Sequence, residues 1–382
     1  MQRMAQDWLV LAYLTNHDAA AVGTVVACQF GPQVLLLPWT GSAADHLDRR
    51  NLLRVTQAAM CLLTLSLAIL TVSGWVRLWQ VYLFALLQGC VSAFDSPAQQ
   101  TFVVELVGEE GLSSAVALNA TLVNASRLIG PAIAGMLISA IGSGWVFALN
   151  SLSFLPLILL LTCIRPGTLH ASGRAPRERG SFVEGLRYVK SRVGLVVLLA
   201  MLFVFGTLGL NYPIFISTMA ASEFHIGARG FGWLTSTMAF GSVWGALLAA
   251  RRPRPTMHLI VAAAALFGFG YTAAAMMPNY ILFGAAMLVV GVTSQTVTTS
   301  TASLVQLSTE PRMRGRVMAL CLTIALGGQP IGAPLVGWVA NTFGPRYGIM
   351  VGAVAGFATA LIGAAYIRFR SRPDSDVLPT NT

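Results

Sequence analysis

Residues 117–141 read A-L-N-A-T-L-V-N-A-S-R-L-I-G-P-A-I-A-G-M-L-I-S-A-I. The stretch is apolar and long enough to cross a bilayer, which takes roughly 20 helical residues. It nevertheless carries Asn119, Asn124, Arg127 and a Gly130-Pro131 break. A guanidinium inside hydrocarbon costs several kcal/mol, so Arg127 is expected to face a cavity or a partner, not lipid. Asn124, Arg127 and Pro131 are spaced three and four apart and share one helix face. Gly130 and Gly135 allow a neighbouring helix to approach closely. The stretch therefore reads as a helix lining a polar path through a membrane.

It also has a twin 202 residues later. Ala117-Leu118 matches Ala319-Leu320, Ile129-Gly130 matches Ile331-Gly332, and Gly135 and Gly142 match Gly337 and Gly344. Gly89 and Ser92 match Gly291 and Ser294 at the same offset. A half-chain repeat of this kind is characteristic of secondary transporters. The repeat is uneven where it matters most, because Arg127 stands opposite Gln329.

Composition agrees with a membrane chain. Of 382 residues 55% are hydrophobic and 10% charged, whereas soluble domains carry about a quarter charged. The five cysteines all lie in apolar stretches and read as small hydrophobes, with neither a disulfide framework nor metal spacing. The histidines are scattered, no phosphate-binding loop is present, and no nucleophile pairs with a base within a span. An enzyme, a metal site and a cofactor are not expected.

Residues 1–15 are apolar but short, and are read as the outer part of a first helix whose beginning is missing from this chain. Further spans are expected at about 21–44, 52–72, 77–97, 114–140 and 145–164. After a polar link come about 194–217, 228–250, 257–277, 280–304, 316–341 and 346–367. The expected architecture is all-helical and polytopic. A six-helix bundle covers 1–164, a basic linker 165–193, a second bundle 194–367 and a tail 368–382.

Nineteen of the 24 Lys and Arg residues fall in the loops after spans 2, 8 and 10, in the middle link and in the tail. The rule that cytoplasmic loops are basic then puts both termini and the link on the cytoplasmic side of a cytoplasmic (inner) membrane. The net charge of +10 is topological and faces anionic lipid; no nucleic-acid partner is implied. Residues 181–193 form an amphipathic pattern expected to lie on that surface.

Residues 41–50, G-S-A-A-D-H-L-D-R-R, complete the picture. With two six-helix halves and a long middle link, they resemble the major facilitator superfamily and its loop signature G-x-x-x-D-[R/K]-x-G-[R/K]-[R/K]. Gly41, Asp45, Arg49 and Arg50 match it; His46 and Asp48 depart from it. Asp45 can receive Arg49 or Arg50, or cap a neighbouring helix, as a latch on the inner gate. R-L-I-G-P-A-I-A-G from Arg127 resembles the antiporter signature, in which a Gly-Pro kink accompanies export. M-Q-R-M-A-Q-D-W-L-V-L at the start, D-S-P-A-Q-Q-T-F from Asp95 and R-G-R-V-M-A-L from Arg314 resemble the enterobactin-exporter-like and macrolide-efflux-like branch. Gln88 and Gln99 stand where arginine is common in these relatives.

The resemblance implies a secondary transporter exporting a small amphipathic molecule, a drug or siderophore, against protons and acting as a monomer. An importer or uniporter of the same fold, or a transport-dead sensor or scaffold, fits the same residues. Asp7 and Arg127 are the candidates for proton coupling. Asp7 reads equally as a static partner of Arg3 or an anchor beside Trp8. Asp95 is expected to end helix 4. Gln29, Asn124, Arg127, Gln295 and Gln329 are expected to line the cavity, although polar residues in spans also serve as interhelical hydrogen bonds.

Overall fold

A computed structural model describes residues 1–36, 48–164, 181–251 and 255–370. Among the described residues the helical segments are, in order, α1 (2–14), α2 (Ala19–Leu35), α3 (Arg49–Val72), α4 (78–107), α5 (109–141), α6 (Ser143–Cys163), α7 (Val193–Glu223), α8 (Gly227–Ala250), α9 (Met257–Met276), α10 (Tyr280–Leu307), α11 (Arg314–Phe343) and α12 (Pro345–Arg370), of which α3, α5, α6, α7, α9, α10, α11 and α12 are long and apolar enough to cross a membrane. A short helix, Ser181–Lys190, precedes α7 where the amphipathic pattern is expected. The part of the second expected span beyond Leu36 lies outside the described residues.

The helix ends follow from local chemistry. Asp18 Oδ1 accepts the Ala21 N–H at 3.0 Å, and Asn279 Oδ1 that of Leu282 at 2.9 Å, each filling a donor left open by the first turn. Gly142 and Gly344, partners in the repeat, both have positive φ (83° and 107°) and both turn the chain into the next helix.

Two expectations about the α4–α5 region are corrected. The loop expected after residue 97 is helical. The run Leu78–Ile141 departs from helical geometry only at Gly108 (φ 67°, ψ −177°), a conformation open to glycine. Asp95 therefore does not end a helix. Nor does Gly130-Pro131 break one, because helical dihedrals continue through it. Proline removes one backbone donor, and a membrane helix tolerates that loss when neighbours pack against it.

The halves meet through glycines. A Cβ on Gly135 of α5 would lie 2.6 Å from the Ala228 carbonyl oxygen of α8, and one on Gly232 of α8 would lie 2.5 Å from that of Pro131. The same contact recurs across the pseudo-axis, with Gly337 of α11 against Ala19 and Gly23 of α2 against Ala333. Asn341 adds a polar tie, its Oδ1 accepting the Ala19 N–H at 2.7 Å and its Nδ2 donating to Asp18 Oδ1 at 2.5 Å. All these contacts lie at the end opposite the basic loops. Toward the basic end α5 is exposed at every position from 116 to 127, so the bundle is closed at one end and open at the other.

Candidate functional site

A charged cluster stands on α1. Gln6 and Asp7 follow Arg3 by three and four residues, one helical turn on, and flank its side of the helix. The Arg3 guanidinium sits over the Phe30 ring of α2, 4.6 Å from its centroid, a cation–π contact that holds it in place. It interacts electrostatically with Asp7, with Arg127 of α5 and with Tyr212 of α7. Tyr212 lies within electrostatic reach of Arg127 and Arg3 in turn, and Arg127 itself is exposed. Charged or phenolic groups of α1, α5 and α7 thus lie within electrostatic reach of one another.

Asp7 is buried, and its Oδ1 has no hydrogen-bond partner among the described residues. Arg3 and Asp7 do not close to a hydrogen-bonded ion pair; Arg3 is drawn instead toward Phe30. The Nε2 of Gln6 and the Oε1 of Gln329 are also buried without a described partner. Buried polar atoms are normally satisfied, and such orphans mark places that exchange protons, water or ligand.

The other candidates are placed differently. Gln29 is buried and donates from Nε2 to Gln6 Oε1 at 2.9 Å, tying α2 to α1. Asn124 is exposed on the open face of α5 and bonds its own helix at the Ala120 carbonyl, 2.9 Å. Gln295 is half-buried on α10. Gly130 has open space where a Cβ would lie, whereas Gly135 is in tight contact with α8.

Of the gate-loop candidates, Gly41 and Asp45 lie outside the described residues. Arg49 Nη1 pairs with Glu105 Oε1 at 2.5 Å, linking α3 to the basic end of α4. Arg50 donates from Nε to the Leu161 carbonyl at 2.7 Å and from Nη2 to that of Thr162 at 2.9 Å, capping the negative end of α6. Nearby, Asp95 is buried and accepts from Thr56 Oγ1 (2.6 Å), Gln57 Nε2 (2.9 Å) and Gln99 Nε2 (2.6 Å).

Sequence reasoning passed over Gln6, Phe30, Tyr212 and the Thr56–Gln57 pair. Gln6 had a signal, since it precedes Asp7. Nothing in the chain tells which ring Arg3 rests on, because Phe30 is 27 residues away and meets it only across two helices.

The chain is similar to known membrane transporters. A family model described as a transmembrane secretion effector of the major facilitator type matches residues 1–382. The staphyloferrin A transporter of Staphylococcus aureus is 25% identical over 346 residues, covering 88% of this chain and 85% of that protein. The enterobactin exporter EntS of Shigella boydii is 24% identical over 385 residues, covering 94% and 87%. The solved structure of the nucleoside transporter NupG has a TM-score of 0.72 at 13% identity, covering 97% of both chains, a likeness of fold alone.

Proposed function

Because the chain belongs to the transmembrane secretion effector family of the major facilitator superfamily, we propose that it exports a small amphipathic acid in exchange for protons. Membership makes it a multi-pass membrane transporter and not an enzyme. The substrate is read as an acidic siderophore or drug, and the carrier as a monomer in the inner membrane. The basic end, with both termini, is assigned to the cytoplasm.

The observation that carries the reading is the pair on α1, Arg3 over the Phe30 ring and Asp7 buried with an unpartnered Oδ1, within electrostatic reach of Arg127 and Tyr212. Two guanidiniums in a protein-walled chamber attract an anion far more strongly than they would in bulk water. Phe30 and Tyr212 offer ring surface to its apolar part. The ionised Asp7 attracts Arg3 without bonding to it, and Arg3, resting on Phe30, meets the anion together with Arg127. A proton on Asp7 removes that attraction, lets Arg3 shift and loosens the anion, so proton and substrate bind in alternation. The open basic end loads substrate; opening at the far end requires parting α2 from α11 and α5 from α8. Gly41, Asp45, Arg49 and Arg50 are assigned to the gate at the basic end.

The test is transport of an acidic siderophore by the full chain in proteoliposomes under an imposed pH gradient. Uptake into inside-out vesicles should require the gradient and be lost in Arg127→Ala and in Asp7→Asn. Undiminished transport in both variants would remove the coupling proposal.

A further inference from the structure

Away from the central chamber, a second cavity of about 620 Å³ opens at the basic end of the C-terminal half. Its wall comes from the ends of α7, α9, α10 and α12 nearest the basic loops. The lining is zoned. Leu195 and Leu198, both buried, form an apolar wall with Leu304, whereas Arg192, His258 and Tyr366 bring polar groups to the same cavity. A cavity of this volume is of ligand size, with room for a headgroup and the upper part of one acyl chain.

Arg192 is held in place at this cavity. Its guanidinium lies over the Tyr188 ring, 4.7 Å from the centroid, and forms an ion pair with Glu310. The Tyr188 hydroxyl accepts the Glu310 backbone N–H at 3.2 Å, closing a small network around it. Glu310 engages one of the five N–H donors of the guanidinium. The surroundings are strongly positive. Arg187, Lys190, Arg251, Arg312, Arg314 and Arg368 share this end of the half, together with the pairs Arg192–Glu310 and Arg316–Glu184.

We propose that this cavity binds one anionic phospholipid from the leaflet on the basic side. The headgroup phosphate sits at Arg192, His258 and Tyr366, and one chain runs along Leu195, Leu198 and Leu304. Three features select this occupant. The cavity is amphipathic, it lies at the level of the basic loops where the membrane interface runs, and its positive surroundings complement a phosphate. A soluble anion would leave the leucine wall exposed to water, and a neutral lipid would leave the positive surplus unanswered. Through Tyr188 the lipid adjoins the Ser181–Lys190 helix, which also reaches α11 by the Glu184–Arg316 pair. A bound lipid therefore steadies the connection between the halves.

Native mass spectrometry of the purified full chain tests this, with phosphatidylglycerol and phosphatidylcholine titrated in parallel. One phosphatidylglycerol should be retained in preference to phosphatidylcholine. Arg192→Gln should weaken that retention about fivefold to tenfold, the worth of one well-placed charge near the surface. Leu198→Trp, which fills the cavity, should abolish it, while Arg312→Gln, at the same end but outside the lining, should leave it unchanged. Equal retention of the two lipids overturns the proposal. So does a loss in Arg312→Gln as large as in Arg192→Gln, which would show diffuse attraction without a site. Displacement of the lipid by glycerol phosphate at equal concentration would mark a soluble-anion site and likewise overturn it. Should Leu198→Trp not fold, the Arg192→Gln and Arg312→Gln comparison decides alone.

Discussion

The two halves share one scaffold and fill it with opposite chemistry. The glycine contacts establish the correspondence: Gly89 against the Gln29 carbonyl in one half answers Gly291 against the Met238 carbonyl in the other. Carried along the helices, the correspondence sets Gln6 against Phe215, Asp7 against Ile216, Gln29 against Met238, Gln88 against Val290 and Asp95 against Val297. Every member of the second set is buried and apolar. There the core is aromatic, with Phe267 4.6 Å from Phe205 and 4.7 Å from Tyr271, ring to ring. The N-terminal half holds its interior with hydrogen bonds to carboxylates and amides instead. Helix spacing and backbone contact survive side-chain exchange because they depend on glycines. A buried carboxylate cannot be exchanged so freely, since each of its donors must be placed to suit it. The comparison suggests a rigid C-terminal bundle against which a polar, titratable N-terminal bundle works.

The sharpest way to break this comparison is to exchange the twins at the chamber. Arg127→Gln gives α5 the residue of α11, and transport should fall about a hundredfold, as expected when a charge facing a shielded partner is removed. If Arg127→Gln/Gln329→Arg transports as well as the parent, the halves are interchangeable and the asymmetry carries no function. Next comes Asp95→Val, which installs the twin's residue and strands Thr56, Gln57 and Gln99. Stability in detergent should drop by about 2–3 kcal/mol, read as a lower melting temperature. An unchanged melting point would mean that the cluster is dispensable.

Gly135→Val probes the shared scaffold. The added side chain meets α8 backbone and should disfavour closure of the far end by about 1–3 kcal/mol, whereas Gly130→Val, with open space around it, should have no such effect. Accessibility of a cysteine placed at the closed end to a membrane-impermeant thiol reagent separates them. Equal labelling of the two variants would undo the assigned contact. The smallest effect is expected for Asn341→Ala. Losing its bonds to Asp18 and Ala19 should shift the balance toward opening by about 1 kcal/mol, roughly fivefold, in the same labelling assay.

Much of the fold was legible along the chain. Apolar runs of bilayer length marked the crossings, arginines marked one face, and the offset of 202 announced two halves. Arg127 stood out because a guanidinium in such a run requires a reason. These are properties of one helix at a time, and solvent preference writes them into local composition. Three-dimensional packing decided the rest. The contacts pair Ala19 with Ala228 and Gly23 with Gly232, an offset of 209 in the second helix of each half, which no glycine match along the chain revealed. Only packing showed that Gln29 turns to Gln6, that Asp95 gathers donors from two helices, and that Arg3 rests on Phe30. The physical reason is that a side chain's partner is set by which helices touch and at what height. Hydrophobicity brings the helices together without saying which polar atoms will meet.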